Sequence, residues 1–137
     1  MFEQCLYFNT TSLARKLERE WALAFKPFGL TPPQAFMLRV ILDKPKSYQN
    51  ALAKEMNITK PTASRGLDGL EKLGLIARRP SLGDAREIEI HPTQKAKAMK
   101  EGINSASAEV TKKLKTLLGT KKFLDVVGKL RGISAAL

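Results

Sequence analysis

The residues with the most chemical content lie in two runs. One is Thr59-Lys60-Pro61-Thr62-Ala63-Ser64-Arg65; the other leads from Arg78-Arg79 through Pro80 to Asp84-Ala85-Arg86. Both are rich in hydroxyls and cations, the donors that suit phosphate oxygens and base edges, and neither holds a nucleophile beside a general base. One histidine, His91, and one cysteine, Cys5, leave no material for a multi-histidine metal centre, a cysteine-cluster zinc site or an internal disulfide framework. A Gly-rich phosphate loop is missing as well. The chain therefore reads as a binding protein, not an enzyme, and no cofactor or metal is expected.

Charge points the same way. The 137 residues carry 24 Lys+Arg against 13 Asp+Glu, a formal net charge of +11 and a pI near 10.0. The excess is spread along the chain: a net of +3 over residues 1–57 and +4 over each of 58–100 and 101–137. It belongs to the folded body and not to a basic tail. Such a surface is either a solvated, lysine-rich exterior or the footprint of nucleic acid. No apolar run approaches the roughly eighteen residues of a membrane span, and no secretory signal opens the chain. The expectation is a soluble, cytoplasmic, single domain, too short to divide into two ordinary ones.

The elements that must position these residues can be read in order. Leu6, Leu13, Leu17, Trp21, Ala24, Phe25 and Phe28 form a stripe at helical spacing over about Glu3 to Lys26, stopped by Pro27 and Gly29. Thr31-Pro32-Pro33-Gln34 starts a second helix with a capping box, and Ala35, Phe36, Leu38, Ile41 and Leu42 face inward. Ser47 is expected to cap a third helix, Tyr48 to Met56, that exits through a left-handed Asn57. Thr59 caps a fourth, which Gly74 ends; Ala63, Leu67, Leu70 and Leu73 are its inner face.

Two short strands follow, Leu75 to Arg79 and Glu87 to His91, the second alternating polar and apolar. Thr93 restarts helix. Met99, Ile103, Ala106, Val110, Leu114 and Leu117 form its stripe, and Gly119-Thr120 separates it from a last helix presenting Phe123, Val127, Leu130, Ile133 and Leu137.

Two short helices joined by a tight turn, followed by a basic hairpin, make a winged helix-turn-helix. The expected class is mainly α with a small β-hairpin wing, flanked by N- and C-terminal dimerisation helices. The winged core spans about 31–92, and residues 1–28 and 93–137 form the flanking helices. Packing of Leu52, Ala53, Ala63, Leu67 and Leu70 leaves the N-terminal half of the fourth helix exposed, at a width that fits the major groove.

The chain also resembles the MarR (multiple antibiotic resistance regulator) family. The resemblance is carried by Leu52-Ala53-Lys54-Glu55-Met56-Asn57-Ile58-Thr59-Lys60-Pro61-Thr62-Ala63-Ser64-Arg65 and by Leu70-Glu71-Lys72-Leu73-Gly74-Leu75-Ile76-Ala77-Arg78. The family's wing pattern, Asp-x-Arg and then Leu-Thr-x-x-Gly, stands here as Asp84-Ala85-Arg86 and Pro92-Thr93-Gln94-Lys95-Ala96. Pro92 and Ala96 depart from it at the strand-to-helix junction.

The resemblance implies a homodimer on near-palindromic double-stranded DNA, and a repressor released by a small phenolic or lipophilic effector. Leu6, Leu13, Leu17, Leu114, Leu117, Phe123, Val127, Leu130 and Ile133 would face the second copy. Thr59, Lys60, Pro61, Thr62, Ser64 and Arg65 would enter the major groove, with Arg65 on a base edge. Arg86 would reach the minor groove, held by Asp84. Ser47, Tyr48 and Gln49 are candidate phosphate contacts, and Lys72, Arg78 and Arg79 add sequence-independent attraction.

Trp21, Phe25, Phe28, Phe36 and Arg39 fall near the family's effector pocket, though an aromatic stripe at helical spacing is core more often than pocket. Cys5 reads as a packed or interface cysteine. An alternative is thiol-based redox sensing, but the branch that uses it has two tyrosines where this chain has Phe25 and Ala35, and its cysteine lies further downstream. A competing class is a winged helix serving as a protein adaptor or RNA-binding module without operator specificity. Against it stand a face rich in Lys, Arg, Ser and Thr and the lack of an aromatic stacking platform.

Overall fold

The computed structural model describes residues 1–84 and 86–137; Ala85, in the middle of the expected wing motif, lies outside the described residues. Helix α1 runs from Leu6 to Phe25. It starts at the first residue of its apolar stripe, later than the expected Glu3. The Cys5 sulfur caps it, accepting from the Phe8 amide at 3.5 Å, and the Asn9 side chain donates back to the carbonyls of Phe2, Glu3 and Cys5. A 3₁₀ turn, Lys26–Phe28, closes on Gly29, whose φ of 70° is the left-handed value that glycine adopts without cost.

Helix α2, Pro32–Asp43, opens with both bonds of the expected capping box between Thr31 and Gln34. Its inner face differs from the expectation at one point. Met37 is buried and Phe36 is turned outward.

The next expectation needs a larger correction. Ser47 does not cap the third helix: Ser47–Tyr48 is a short strand, β1, and α3 is only Gln49–Glu55, with Tyr48 as an N-cap that makes no side-chain bond. The Ser47 hydroxyl instead donates to the carbonyl of Lys44. Asn57 has the left-handed φ of 55° that the tight turn requires. Helix α4, Lys60–Lys72, is capped by Thr59 as expected, and Gly74 takes a φ of 73° just past its end. Ala63, Leu67 and Leu70 are wholly buried, whereas Leu73, expected inside, is the C-cap residue and exposed.

Strands β2, Ile76–Pro80, and β3, Ile88–Pro92, pair antiparallel. With β1 they make a three-stranded sheet in the order β1-β3-β2. The alternation in β3 does not follow hydropathy: Ile88 is exposed and Glu89 is buried. Ile88, paired with Pro80, lies at the turn end of the hairpin, while Glu89 stands opposite Tyr48 and Arg79. Its carboxylate meets His91 Nε2 at 3.1 Å and Lys46 Nζ at 3.8 Å, so this buried charge is compensated.

Thr93 caps α5, Gln94–Leu118, and its hydroxyl also donates to the Gly74 carbonyl, tying the wing's return to the end of α4. Gly119 breaks the helix, and α6 runs from Thr120 to Ala136. The core gathers Phe25, Leu38, Ile41, Leu52, Leu67, Leu70, Leu75, Ile90 and Ile103. It thus lies among α2, α3, α4, the sheet and the first half of α5. Helix α1 contributes one buried residue and α6 none. Among the described residues, no helix is long and apolar enough to cross a membrane.

Candidate nucleic-acid interface

Helix α4 presents its first turns outward because its buried positions, Ala63, Leu67 and Leu70, fall on one side. Lys60, Pro61, Thr62 and Arg65 are exposed there, and Ser64 is half-buried. Thr59 Oγ1 accepts from the Thr62 amide at 3.3 Å and donates to Thr62 Oγ1 at 2.9 Å. Arg65 reaches back with Nη2 at 3.4 Å from Thr62 Oγ1, a long contact that leaves most of its donors unpaired. The result is a cluster of hydroxyls and two cations at the positive end of a helix, a surface suited to phosphates and base edges. Lys72 is exposed but stands at the other end of α4, roughly 18 Å along the axis at 1.5 Å per residue. It does not join the cluster.

The wing is the second cationic feature. Its tip is closed by the Ser81 amide donating to Glu87 O at 2.8 Å and the Glu87 amide donating to Asp84 O at 3.0 Å. Asp84 Oδ1 accepts from the Arg86 backbone amide at 2.9 Å and from Arg86 Nε at 3.4 Å. Asp84 is placed as the residue that holds Arg86, and the Arg86 side chain is 94% exposed. Arg79 is exposed as well.

Arg78 is different, and the expectation that it adds an open, sequence-independent cation is corrected. Its side chain is only 19% exposed and bonds Asp68 and both oxygens of Glu71 on α4. Bonding to Glu71, strengthened by Asp68, raises its pKa above the ordinary guanidinium value despite partial burial. Two carboxylates already consume its charge, so its role here is to fasten the wing to α4. Asp68 and Glu71 were legible only as outward residues three apart on a helix; what makes them partners is the approach of β2.

Ser47, Tyr48 and Gln49 lie together where β1 passes into α3, all half-buried. Ser47 is committed to Lys44 O, and Gln49 Oε1 is buried with no partner among the described residues.

The expected effector residues divide. Phe25 is wholly buried in the core and touches Phe36 edge-on at 5.9 Å, so it lines no pocket. Phe28 packs partly buried against the core, its ring close over Gly102 on α5. Trp21 and Phe36, with Ala14, Leu17, Glu18, Pro32 and Pro33, line an open, mainly apolar groove of about 400 Å³. Beside it, Arg39 lies over the Phe36 ring at 5.0 Å. Arg39 Nε donates to Asn104 Oδ1 at 2.8 Å and Nη1 to Ser107 Oγ at 2.9 Å; Trp21 Nε1 donates to the same hydroxyl at 3.1 Å.

Among the described residues no carboxylate pairs with Arg39, and burial lowers its pKa. Asn104 and Ser107 escaped the sequence reading. The signal for Ser107 was there: it sits four residues after Ile103 and three before Val110, a hydroxyl inside an apolar stripe. Cys5 is exposed and not packed within the chain.

Residues 28–87 match the family model described as the MarR family. The HTH-type transcriptional regulator MgrA of Staphylococcus aureus is 29% identical over 106 residues, 77% of this chain and 72% of the relative. The fold superposes on MepR of S. aureus, solved as a DNA complex, with a TM-score of 0.89 at 22% identity, covering 98% of this chain and 100% of that one. It also superposes on the transcriptional repressor CouR bound to a 23-mer duplex, with a TM-score of 0.88 at 24% identity, covering 97% and 94%. A matched winged-helix core, a relative similar over 77% of the chain, and an architecture shared from end to end lead to one conclusion: in sequence and in fold this chain is similar to regulators of the MarR family.

Proposed function

We propose that the chain is a sequence-specific, duplex-DNA-binding transcription regulator, acting in the cytoplasm as a homodimer that represses until an effector binds. The observation that carries this reading is the pairing of two exposed cationic features on one rigid frame. The Thr59–Arg65 face of α4 is clamped through Arg78 to a wing that displays Arg86. Relatives in the family are described as transcriptional regulators, and two neighbours of the same fold were solved on DNA. Arg65 is the base-reading residue, Lys60, Thr62 and Arg79 serve phosphates, and Arg86 enters the minor groove.

A second copy covers the apolar residues that α1 and α6 leave exposed, among them Leu6, Leu13, Leu130 and Ile133. Two α4 helices about one DNA turn apart, roughly 34–36 Å, then read a near-palindromic operator. The 1–137 chain acts in this as one domain.

The Trp21–Phe36 groove and its Arg39 neighbour suit a small aromatic or lipophilic acid: ring or chain in the apolar groove, carboxylate toward the guanidinium, which no carboxylate among the described residues neutralises. Such a ligand releases DNA only by binding one dimer shape more tightly than the other.

Fluorescence anisotropy against the duplex upstream of the protein's own gene, beside a scrambled duplex and at two salt concentrations, tests this. A cognate preference of about a thousandfold or more is expected. Equal affinity for both duplexes that collapses with salt reduces the protein to a nonspecific binder. Tighter binding to RNA favours the RNA module instead.

A further inference from the structure

A lone exposed leucine is ordinary on a protein surface, so what matters is where one stands. The large apolar side chains this chain leaves in water fall mainly on α1, the end of α5 and α6, the surface assigned above to a second copy. Leu82 does not belong to that set. It lies on the tip of the wing and is 105% exposed, more than the 75% of Leu117 on the dimerisation side. Among the described residues nothing packs against it.

Nor is it on a loose segment. The bonds from Ser81 to Glu87 and from Glu87 to Asp84 close the tip around it, and the same Asp84 that completes this turn holds Arg86. Leu82 and Arg86 are therefore both displayed on the same hydrogen-bonded turn, an apolar side chain and a cation on one projection.

We propose that Leu82 is a minor-groove wedge: when the wing enters DNA, its side chain presses between two base pairs and partly unstacks them, next to the Arg86 contact. This rests on the DNA-binding reading and deepens it. Apolar side chains at the tips of minor-groove projections act in this way, opening a base step and bending the duplex. Leucine gains from leaving water for the face of a base, which a polar tip residue does not. The step that opens most readily is a pyrimidine–purine step such as TA or CA. The wedge thus supplies sequence preference at a position where no hydrogen bond reads a base.

The test uses the full chain and the tightest duplex selected from a random 30-bp pool. 2-Aminopurine is placed in turn at each adenine flanking the half-sites. With the parent chain, its fluorescence is expected to rise at one step outside each half-site, the signature of unstacking.

Leu82→Ala should abolish that rise and weaken binding by roughly three- to tenfold, the scale of one lost apolar contact. Leu82→Met should keep both, being apolar and of similar volume. Because the side chain is fully exposed, neither variant threatens the fold. No rise with the parent chain, or a rise that survives in Leu82→Ala, overturns the wedge while leaving the DNA-binding reading intact. A parent chain that selects no duplex at all overturns that reading, and the wedge with it.

Discussion

Helices α4 and α6 are of comparable length, 13 and 17 residues, and both are amphipathic, but they end up in opposite conditions. The apolar side of α4 is sealed: Ala63, Leu67 and Leu70 lose all contact with water. The apolar side of α6 stays wet, with Val127, Leu130 and Ile133 each around two-fifths exposed and no residue buried. The first helix is finished within one chain, and what it leaves outside is polar and cationic. The second is unfinished, and what it leaves outside is a surface water disfavours. On the proposed reading, the DNA-facing chemistry sits on the part whose core is complete within one chain, and the spacing of the two reading helices depends on the part that a second copy would cover.

The sharpest way to break this comparison is to charge the unfinished face. Val127→Glu with Leu130→Glu is expected to give a monomer in analytical ultracentrifugation. Duplex affinity should fall on the order of a thousandfold, to the level of nonspecific binding. A dimer that persists would show that α6 is not the partner surface.

Next in size is the sealed face. Leu70→Ala should cost about 2–5 kcal/mol in denaturant unfolding, the range for a fully buried leucine. For a chain that folds only as a dimer, unfolding midpoints depend on protomer concentration. If the winged core is self-sufficient, the core variant's loss stays the same across protein concentrations and the α6 variant's does not.

The clamp between α4 and the wing comes third. Arg78→Met removes charge-assisted bonds to Asp68 and Glu71, worth roughly 1.5–3 kcal/mol for hydrogen bonds to charged groups. Arg78 has its pKa raised in the fold, so its stabilising contribution is complete across the neutral range and is lost only as pH rises through the guanidinium value. Hydrogen exchange at β2 amides should quicken in the variant, and a wing unchanged in exchange would refute the clamp.

Arg39 should behave in the contrary manner. Burial lowers its pKa, so in the folded state its charge carries a penalty at all pH values below that lowered pKa. Arg39→Met is expected to shift stability by less than about 1 kcal/mol, as surface-type changes do, while removing the response to an acidic effector. A large loss of stability would make Arg39 structural.

The smallest effect belongs to the wing tip. Asp84→Ala frees Arg86 from its tether and should weaken duplex binding about twofold, through the entropy of an unpinned side chain. The change should appear in anisotropy and not in thermal unfolding.

Much of this was legible along the chain. Thr31 with Gln34, Thr59, Asn57 and Gly74 are local signals, and each does in the fold what its type and spacing require. The tether of Arg86 by Asp84 is also local, two residues apart in one turn. The errors have a common origin in distance along the sequence. Ser47 reads as a helix cap until β3, some forty residues later, arrives to pair with it. Glu89 reads as the polar half of an alternation until Lys46 and His91 make its burial tolerable. Phe25 and Phe36 are both aromatic residues in one candidate pocket, and only the docking of α1 on α2 decides which is core and which is surface.

By itself, then, the sequence determined the helices and the hairpin, the capped and glycine-stopped ends among them, and the side on which the cations of α4 stand, because caps, turns and periodicity act within a few residues. The tertiary structure decided which charges are free. Arg65, Arg78 and Arg86 are the same residue type in neighbouring elements. One is open along α4, one is consumed by Asp68 and Glu71, and one is displayed at the end of a pinned turn. No local rule separates them, since an ion pair depends on which surfaces meet, and that follows from burying the core as a whole.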